Sequence, residues 1–185
     1  MSRHPDLLDR DDSILLVVDV QERLAPIIEE RAAVEAAIVR LVRGARILGV
    51  PVLVSEQYPK GLGRTVPAVR AAAPDAPVLE KTSFSCGSDA AIMAAIRALD
   101  RGTVVLAGIE AHICVLQTAL DLIARGWRVH VVADATGTRG PKNLAIGHDR
   151  AARAGAVVTS VEAALFEWMG RSDLPEFKEV QALLK

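Results

Sequence analysis

Length, composition and charge restrict the class of this protein before any motif is considered. The chain has 185 residues, of which 51% are hydrophobic, 24% charged and 3% aromatic, and its formal net charge is −1. These values favour one globular domain over residues 1–185, exclude a disordered chain, and argue against nucleic acid as a partner, which basic patches and stacking aromatics would bind.

The first segment, residues 1–13, is charged and reads MSRHPDLLDRDDS. A secretory signal would have a basic start followed by an apolar stretch. No uncharged apolar run in the sequence approaches the roughly 18 residues that a membrane helix needs. We therefore expect a cytoplasmic protein that does not bind membranes.

Short apolar runs alternate with helical patterns along the rest of the chain. The clearest runs are continuously apolar, which is typical of strands buried on both faces. Strands are predicted at 13–18, 51–55, 77–80, 103–108, 128–133 and 156–160. Helices are predicted at 32–48, 89–99, 113–125, 142–154, 161–169 and 176–185, and one long loop covers 56–76.

This alternation predicts an α/β fold with a six-stranded, mostly parallel sheet and helices on both faces. In the common strand order 3-2-1-4-5-6, the winding reverses between the first and fourth strands, and ligands bind beyond the carboxyl ends there. Asp19 follows the first strand, Lys81 follows the third, and Cys114 comes shortly after the fourth, where a helix begins. We expect these three side chains to meet.

The chemistry of the three side chains suggests a cysteine nucleophile. The thiolate is the reactive form of cysteine, and a helix N-terminus and the Lys81 cation would both lower the pKa of Cys114. Asp19 can accept the thiol proton and return it to a leaving amine, and backbone N–H groups of residues 110–114 can bind an oxyanion. Two plainer interpretations stay open: Asp19 as a turn or cap residue, and Cys114 as a packed core residue.

Five segments, taken in order, resemble one family. VVDVQ, VSEQYPKGLG, EKTSFS, GIEAHICV and DATGTRGPKN are similar to motifs of the isochorismatase-like cysteine hydrolases, which include nicotinamidases and N-carbamoyl amide hydrolases. The second segment most resembles the isochorismatase-domain-containing subgroup. The resemblance implies a Rossmann-like three-layer fold and a catalytic triad of Asp19, Lys81 and Cys114. It also implies a cis peptide bond between Glu110 and Ala111, and an oxyanion hole formed by the backbone N–H groups of Ala111 and Cys114.

Two departures from the family pattern narrow the expected reaction. The loop that carries metal-binding histidines in nicotinamidases has no histidine here, so we expect no metal and no other cofactor. Members that hydrolyse a vinyl ether generally lack the cysteine, whereas this chain has Cys114. The resemblance therefore favours hydrolysis of an amide or ureido C–N bond in a small molecule through a thioester acyl-enzyme. An isochorismatase-type ether hydrolase and a non-catalytic binding or assembly module are the alternatives.

Other residues receive weaker assignments. Gln57 and Tyr58 on the long loop, and Arg139 after the fifth strand, are candidates for substrate contacts. Cys86 is interpreted as a free, partly buried structural thiol, and His112 as too near Cys114 in sequence for the two side chains to meet.

The quaternary structure is suggested only by the resemblance. Members of the family commonly assemble, so we expect a homo-oligomer. The segment AALFEWM at 163–169 could form an interface, although an amphipathic helix packed on its own sheet has the same pattern.

Overall fold

The computed structural model describes residues 3–185, in which strands and helices alternate. The strands are β1 (Ser13–Val18), β2 (Val52–Gln57), β3 (Val78–Lys81), β4 (Thr103–Ile109), β5 (Arg128–Gly137) and β6 (Val157–Thr159). The helices are α1 (Arg31–Ile47), α2 (Pro59–Leu62), α3 (Pro67–Ala72), α4 (Ala90–Ala98), α5 (Leu116–Ala124), α6 (Pro141–Arg153), α7 (Val161–Met169) and α8 (Phe177–Ala182). Short 3-10 turns lie at Ala25–Ile27 and Cys86–Ser88, and a π-helical turn lies at Ala111–Val115.

The six strands form one sheet in the order β3-β2-β1-β4-β5-β6, and every strand pairing is parallel. The predicted fold class and strand order are therefore confirmed. Helices cover both faces of the sheet, as the buried side chains of β1 show. Leu15 and Val17 belong to the core layer shared with α1 and α7, whereas Ile14, Leu16 and Val18 belong to the layer shared with α4 and α5.

The backbones of β1 and β4 approach each other closely at the point where the winding of the sheet reverses. Val18 pairs with Gly108, and both strands end within one residue of this pair. Gly108 has φ +134°, and a Cβ at this position would lie 2.1 Å from the Val18 carbonyl oxygen. Only glycine fits, because both the backbone conformation and the close approach of β1 exclude a side chain. Asp19 and Glu110, which follow the two strands, have φ of 55° and 57° and turn the chain out of the sheet.

The structure differs from the sequence-based predictions mainly at the edges of elements. The predicted helix start at 113 lies inside the π-helical turn, and a regular α-helix begins only at Leu116. β5 continues to Gly137, beyond the predicted end at 133, with a shift in its register against β4. The loop at 56–76 contains the end of β2 and two short helices. Within residues 3–185, no helix is long and apolar enough to cross a membrane.

Candidate active site

The acid and the ammonium predicted from the sequence form a buried ion pair at the carboxyl edge of the sheet. Lys81 Nζ lies 2.6 Å from Asp19 Oδ2, and at most 1% of either side chain is exposed. The second oxygen, Asp19 Oδ1, accepts a hydrogen bond of 2.7 Å from the Ser55 hydroxyl. Both carboxylate oxygens are thus held in place by neighbouring strands.

The Lys81 ammonium has more acceptors than it has hydrogens. Besides Asp19, it lies 2.8 Å from Gln57 Oε1 and within 3.2 Å of the carbonyl oxygens of Ser83 and Phe84. A lysine ammonium carries three N–H donors and no acceptor, so these four oxygens saturate it. Lys81 therefore provides a fixed positive charge at this site.

Cys114 lies in the π-helical turn after β4, with 4% of its surface exposed, and its thiol is near enough to Asp19 to be affected by the carboxylate charge. Burial is the largest cause of a pKa well above the ordinary thiol value, and the Asp19 charge adds to it, whereas the Lys81 charge lowers the pKa. The expectation of a low pKa for Cys114 is thus wrong for the free protein. Burial and a carboxylate outweigh one cation that is already paired.

The turn that carries Cys114 also differs from the expected backbone. The described residues contain no cis peptide bond, so the expected cis bond between Glu110 and Ala111 is wrong. The chain reverses here because Glu110 has a left-handed conformation, with φ 57° and ψ 56°, and the Ile113 N–H donates to its carbonyl at 2.8 Å. The backbone N–H groups of Ala111 and Cys114 belong to this turn, and their role as oxyanion donors stays a prediction.

The three residues predicted to contact substrate lie in different settings. Gln57 uses both ends of its amide within the chain, since Oε1 accepts from Lys81 and Nε2 donates to the Thr82 carbonyl. Tyr58 is exposed, has φ 37°, and borders a shallow cavity that also includes Lys81. Arg139 pairs through Nε with Glu110 at 2.8 Å and is half-exposed. The structure therefore places Gln57 as a contact of Lys81.

Cys86 and His112 also lie near the site. Cys86 is fully buried, and its thiol lies 3.5 Å from the Ser55 hydroxyl. Burial raises the pKa of Cys86 to about 11. His112 Nδ1 lies 2.8 Å from the Thr138 hydroxyl and 3.5 Å from Glu110, so its hydrogen-bonding contacts are with these residues.

Sequence reasoning missed two residues that organise the site. Ser55 donates a hydrogen bond to Asp19. Gln21 is fully buried, and its side-chain amide donates to the Gln57 carbonyl and accepts from the Gln57 N–H. Both are polar residues at or just beyond the ends of buried strands, and that position is the signal that could have identified them. Within residues 3–185, no group of three His, Cys, Asp or Glu side chains is placed to hold a metal ion.

The fold and the position of this site define the class of the protein. The sheet with order 3-2-1-4-5-6 and covering helices matches the isochorismatase-like fold, and an isochorismatase domain is recognised over residues 13–163. The chain therefore belongs to the isochorismatase family.

Individual relatives agree with this membership. The isochorismatase domain-containing protein 1 of Salmo salar is 43% identical over 173 residues, which are 94% of this chain and 61% of that protein. The chain thus spans less than two thirds of the length of this relative. A structure from Caenorhabditis elegans, described as MAR1 ribonuclease, is 40% identical with a TM-score of 0.90, and the match covers 96% of this chain and 91% of that one.

A more distant structure shares the fold. The Escherichia coli YcaC gene product, described as an octameric hydrolase of unknown specificity, has a TM-score of 0.87 and 23% identity. The match covers 98% of this chain and 97% of that one. At this identity, the likeness shows the fold alone.

Proposed function

We propose that this protein hydrolyses an amide or ureido C–N bond of a small molecule through a thioester on Cys114. One observation carries the proposal. The Asp19 carboxylate binds the Lys81 ammonium, and its charge acts on the buried Cys114 thiol at the switch point of the sheet. An acid that lies near the nucleophile and is held by a fixed cation can accept and return one proton.

The proposed reaction has two halves that share Asp19. Asp19 takes the proton from Cys114 Sγ while the sulfur attacks the substrate carbonyl carbon, and the N–H groups of Ala111 and Cys114 stabilise the oxyanion. The C–N bond then breaks, Asp19 gives the proton to the nitrogen, and the amine leaves. A water molecule next attacks the thioester and passes a proton to Asp19. The acid product leaves, and the proton returns to sulfur.

The raised pKa of Cys114 fits this sequence of steps. Because burial keeps the thiol protonated at neutral pH, the proton must move when sulfur attacks, and Asp19 is the carboxylate whose charge acts on this thiol. Lys81 does not donate a proton in this scheme, since acceptors within the chain already saturate its ammonium. Its role is to offset the negative charge of Asp19 in a buried site.

Trapping with hydroxylamine tests the proposal directly. The protein is incubated with a panel of small amides, ureido acids and esters, and the hydroxamate formed from an acyl-enzyme is measured by mass spectrometry. We expect hydroxamate from the wild type and none from Cys114→Ala or Asp19→Asn. Lys142→Ala, which removes an exposed lysine on α6, is the control and should leave the yield unchanged.

The same panel separates the alternatives. A vinyl ether cleaved without acyl-enzyme formation would favour the ether hydrolase, and binding without turnover would favour the binding module. Because the C. elegans relative is described as a ribonuclease, a labelled RNA belongs in the panel. Cleavage of RNA that is lost in Cys114→Ala would replace the C–N proposal.

We also infer that the chain forms a homo-oligomer. The octameric state of the E. coli protein of the same fold supports this inference. A cytoplasmic location stays a prediction from the sequence.

A further inference from the structure

A chain of hydrogen bonds lies behind Asp19, on the side away from Lys81. The Thr118 hydroxyl accepts a hydrogen bond of 2.9 Å from the backbone N–H of Cys86. The Cys86 thiol lies 3.5 Å from the Ser55 hydroxyl. Ser55 in turn donates to Asp19 Oδ1 at 2.7 Å. Thr118, Cys86, Ser55 and Asp19 are all fully buried. The chain therefore connects α5, which follows the Cys114 turn, to the carboxylate of the ion pair.

The direction of these hydrogen bonds is fixed by the chemistry of the two ends. Burial raises the pKa of Cys86 to about 11, so its thiol carries a proton near neutral pH and can donate it to Ser55. The Asp19 carboxylate can only accept. A serine hydroxyl has one hydrogen, so Ser55 accepts from Cys86 and directs its own hydrogen to Asp19.

The geometry points to Ser55 as a positioning residue for the reaction, with Cys86 as the residue that orients its hydroxyl. Lys81 holds one oxygen of Asp19 and Ser55 holds the other, so the plane of the carboxylate is set by two strands. The remaining acceptor capacity of Asp19 is then available to the Cys114 thiol. This inference rests on the proposed role of Asp19 as the proton carrier.

Ser55 also affects how strongly the Asp19 charge acts on the Cys114 thiol. The groups facing Asp19 are Lys81 from β3, Cys114 from the π-helical turn and Cys86 from the turn before α4. A hydroxyl that donates to Asp19 spreads part of its negative charge. Without that hydroxyl, the carboxylate charge next to the Cys114 thiol is less compensated, so the thiolate forms at a higher pH.

The test measures the rate of alkylation of Cys114 by acrylamide at about pH 8, with peptide mass spectrometry to separate Cys114 from Cys86. Because only the thiolate reacts, Ser55→Ala should lower this rate about threefold. It should also lower the hydroxamate yield about tenfold, as expected for a lost hydrogen bond to a charged group. Ser55→Thr keeps the hydroxyl and should largely restore both values. Ser13→Ala is the matched control, because Ser13 is a buried serine that donates to the Asp9 carbonyl at the opposite end of β1.

Two further variants keep the test decisive if Ser55→Ala does not fold. Cys86→Ala and Cys86→Ser both remove a thiol that itself raises the pKa of Cys114, but only Cys86→Ser retains a donor to Ser55. The alkylation rate should therefore be lower in Cys86→Ala than in Cys86→Ser. Equal rates for these two variants would then overturn the inference.

Asp19→Asn separates this inference from the proposed function. Burial raises the pKa of Cys114 most and the Asp19 charge adds to it, so removing this charge should increase the alkylation rate at about pH 8. A faster rate in Asp19→Asn with an unchanged rate and yield in Ser55→Ala would reject only the role of Ser55. An unchanged rate in Asp19→Asn would reject the proposed function itself.

Discussion

At the scale of single residues, the site is a buried charge pair beside a protonated thiol. Breaking a buried pair is costly because the remaining charge has no partner, whereas removing both charges can be nearly neutral. Asp19 and Lys81 are both almost completely buried, so the pair meets this condition. The effect on stability of replacing Asp19 should therefore depend on whether Lys81 is present, and the reverse.

A double-mutant cycle measures this coupling. Lys81→Met should lower the free energy of unfolding by about 3 to 5 kcal/mol, and adding Asp19→Asn to it should recover much of that loss. Urea denaturation at pH 7 gives the four values. Additive losses would show that the two charges do not interact. Lys81→Met alone should also slow the alkylation of Cys114 by acrylamide at about pH 8, since the Lys81 charge lowers the pKa of this thiol.

At the scale of elements, α6 packs directly against the turn that carries Cys114. A Cβ at Gly147 would lie 3.1 Å from the Ala111 carbonyl oxygen and from His112 Cα. Such contacts are tighter than normal packing, so a side chain at Gly147 would push the turn by a few tenths of an ångström. Small displacements of a nucleophile have large effects on rate.

Gly147→Ala should therefore lower activity while leaving stability nearly unchanged. Alanine favours a helix by up to about 1 kcal/mol over glycine, which offsets part of the crowding, so the free energy of unfolding should change little. The hydroxamate yield should fall about tenfold as the turn moves. Asn143→Ala, on an exposed position of the same helix, is the control and should keep full activity. An unchanged yield in Gly147→Ala would show that the turn tolerates the displacement.

His130 makes β5 sensitive to acid. Burial lowers the pKa of His130 from 6.5 to about 4, and its Nδ1 has no hydrogen-bond partner in the described part of the chain. The unfolded chain then binds a proton more readily between these two pH values, so stability is full above pH 6.5 and declines as the pH falls to 4. The decline should reach about 3 kcal/mol.

Urea denaturation from pH 7 to pH 4 tests this expectation. His130→Leu should remove the His130 contribution to the slope, whereas His4→Gln should not, because His4 is exposed. Equal slopes for the wild type and His130→Leu would contradict the assignment.

The sequence predicted elements where the local pattern is strong. The run at 13–18 is apolar after Ser13 and matches β1 residue for residue. The extension of β5 was missed because residues after 133 are small or polar, and their pairing depends on β4. Three features of the site depend on contacts between different strands: the conformation of the Cys114 turn, the position of Ser55, and the hydrogen bonds between Gln21 and Gln57. The spacing of residues along one strand does not predict those contacts.

At the scale of the whole molecule, the segment at 163–169 is mainly used inside its own subunit. Leu165, Trp168 and Met169 are buried in the core, and Phe166 is partly exposed and meets Phe177 edge-on at 6.4 Å. This pattern is that of an amphipathic helix packed on its own sheet. The interface of an oligomer therefore has to use other surface, or only the exposed edge of α7.

Sedimentation equilibrium tests the inferred assembly. We expect a mass that is a multiple of the 19.7 kDa chain at micromolar concentration. A single 19.7 kDa species over the whole concentration range would contradict the homo-oligomer.

The enclosure of Lys81 has a consequence for chemical labelling. Reductive methylation by formaldehyde needs a lysine amine that the reagent can reach, and the Lys81 side chain is completely buried and hydrogen-bonded in the folded protein. The other lysines of the chain, Lys60, Lys142, Lys178 and Lys185, are all exposed. Folded protein should therefore take up methyl groups on four of its five lysine side chains, and the fifth should become reactive only on denaturation.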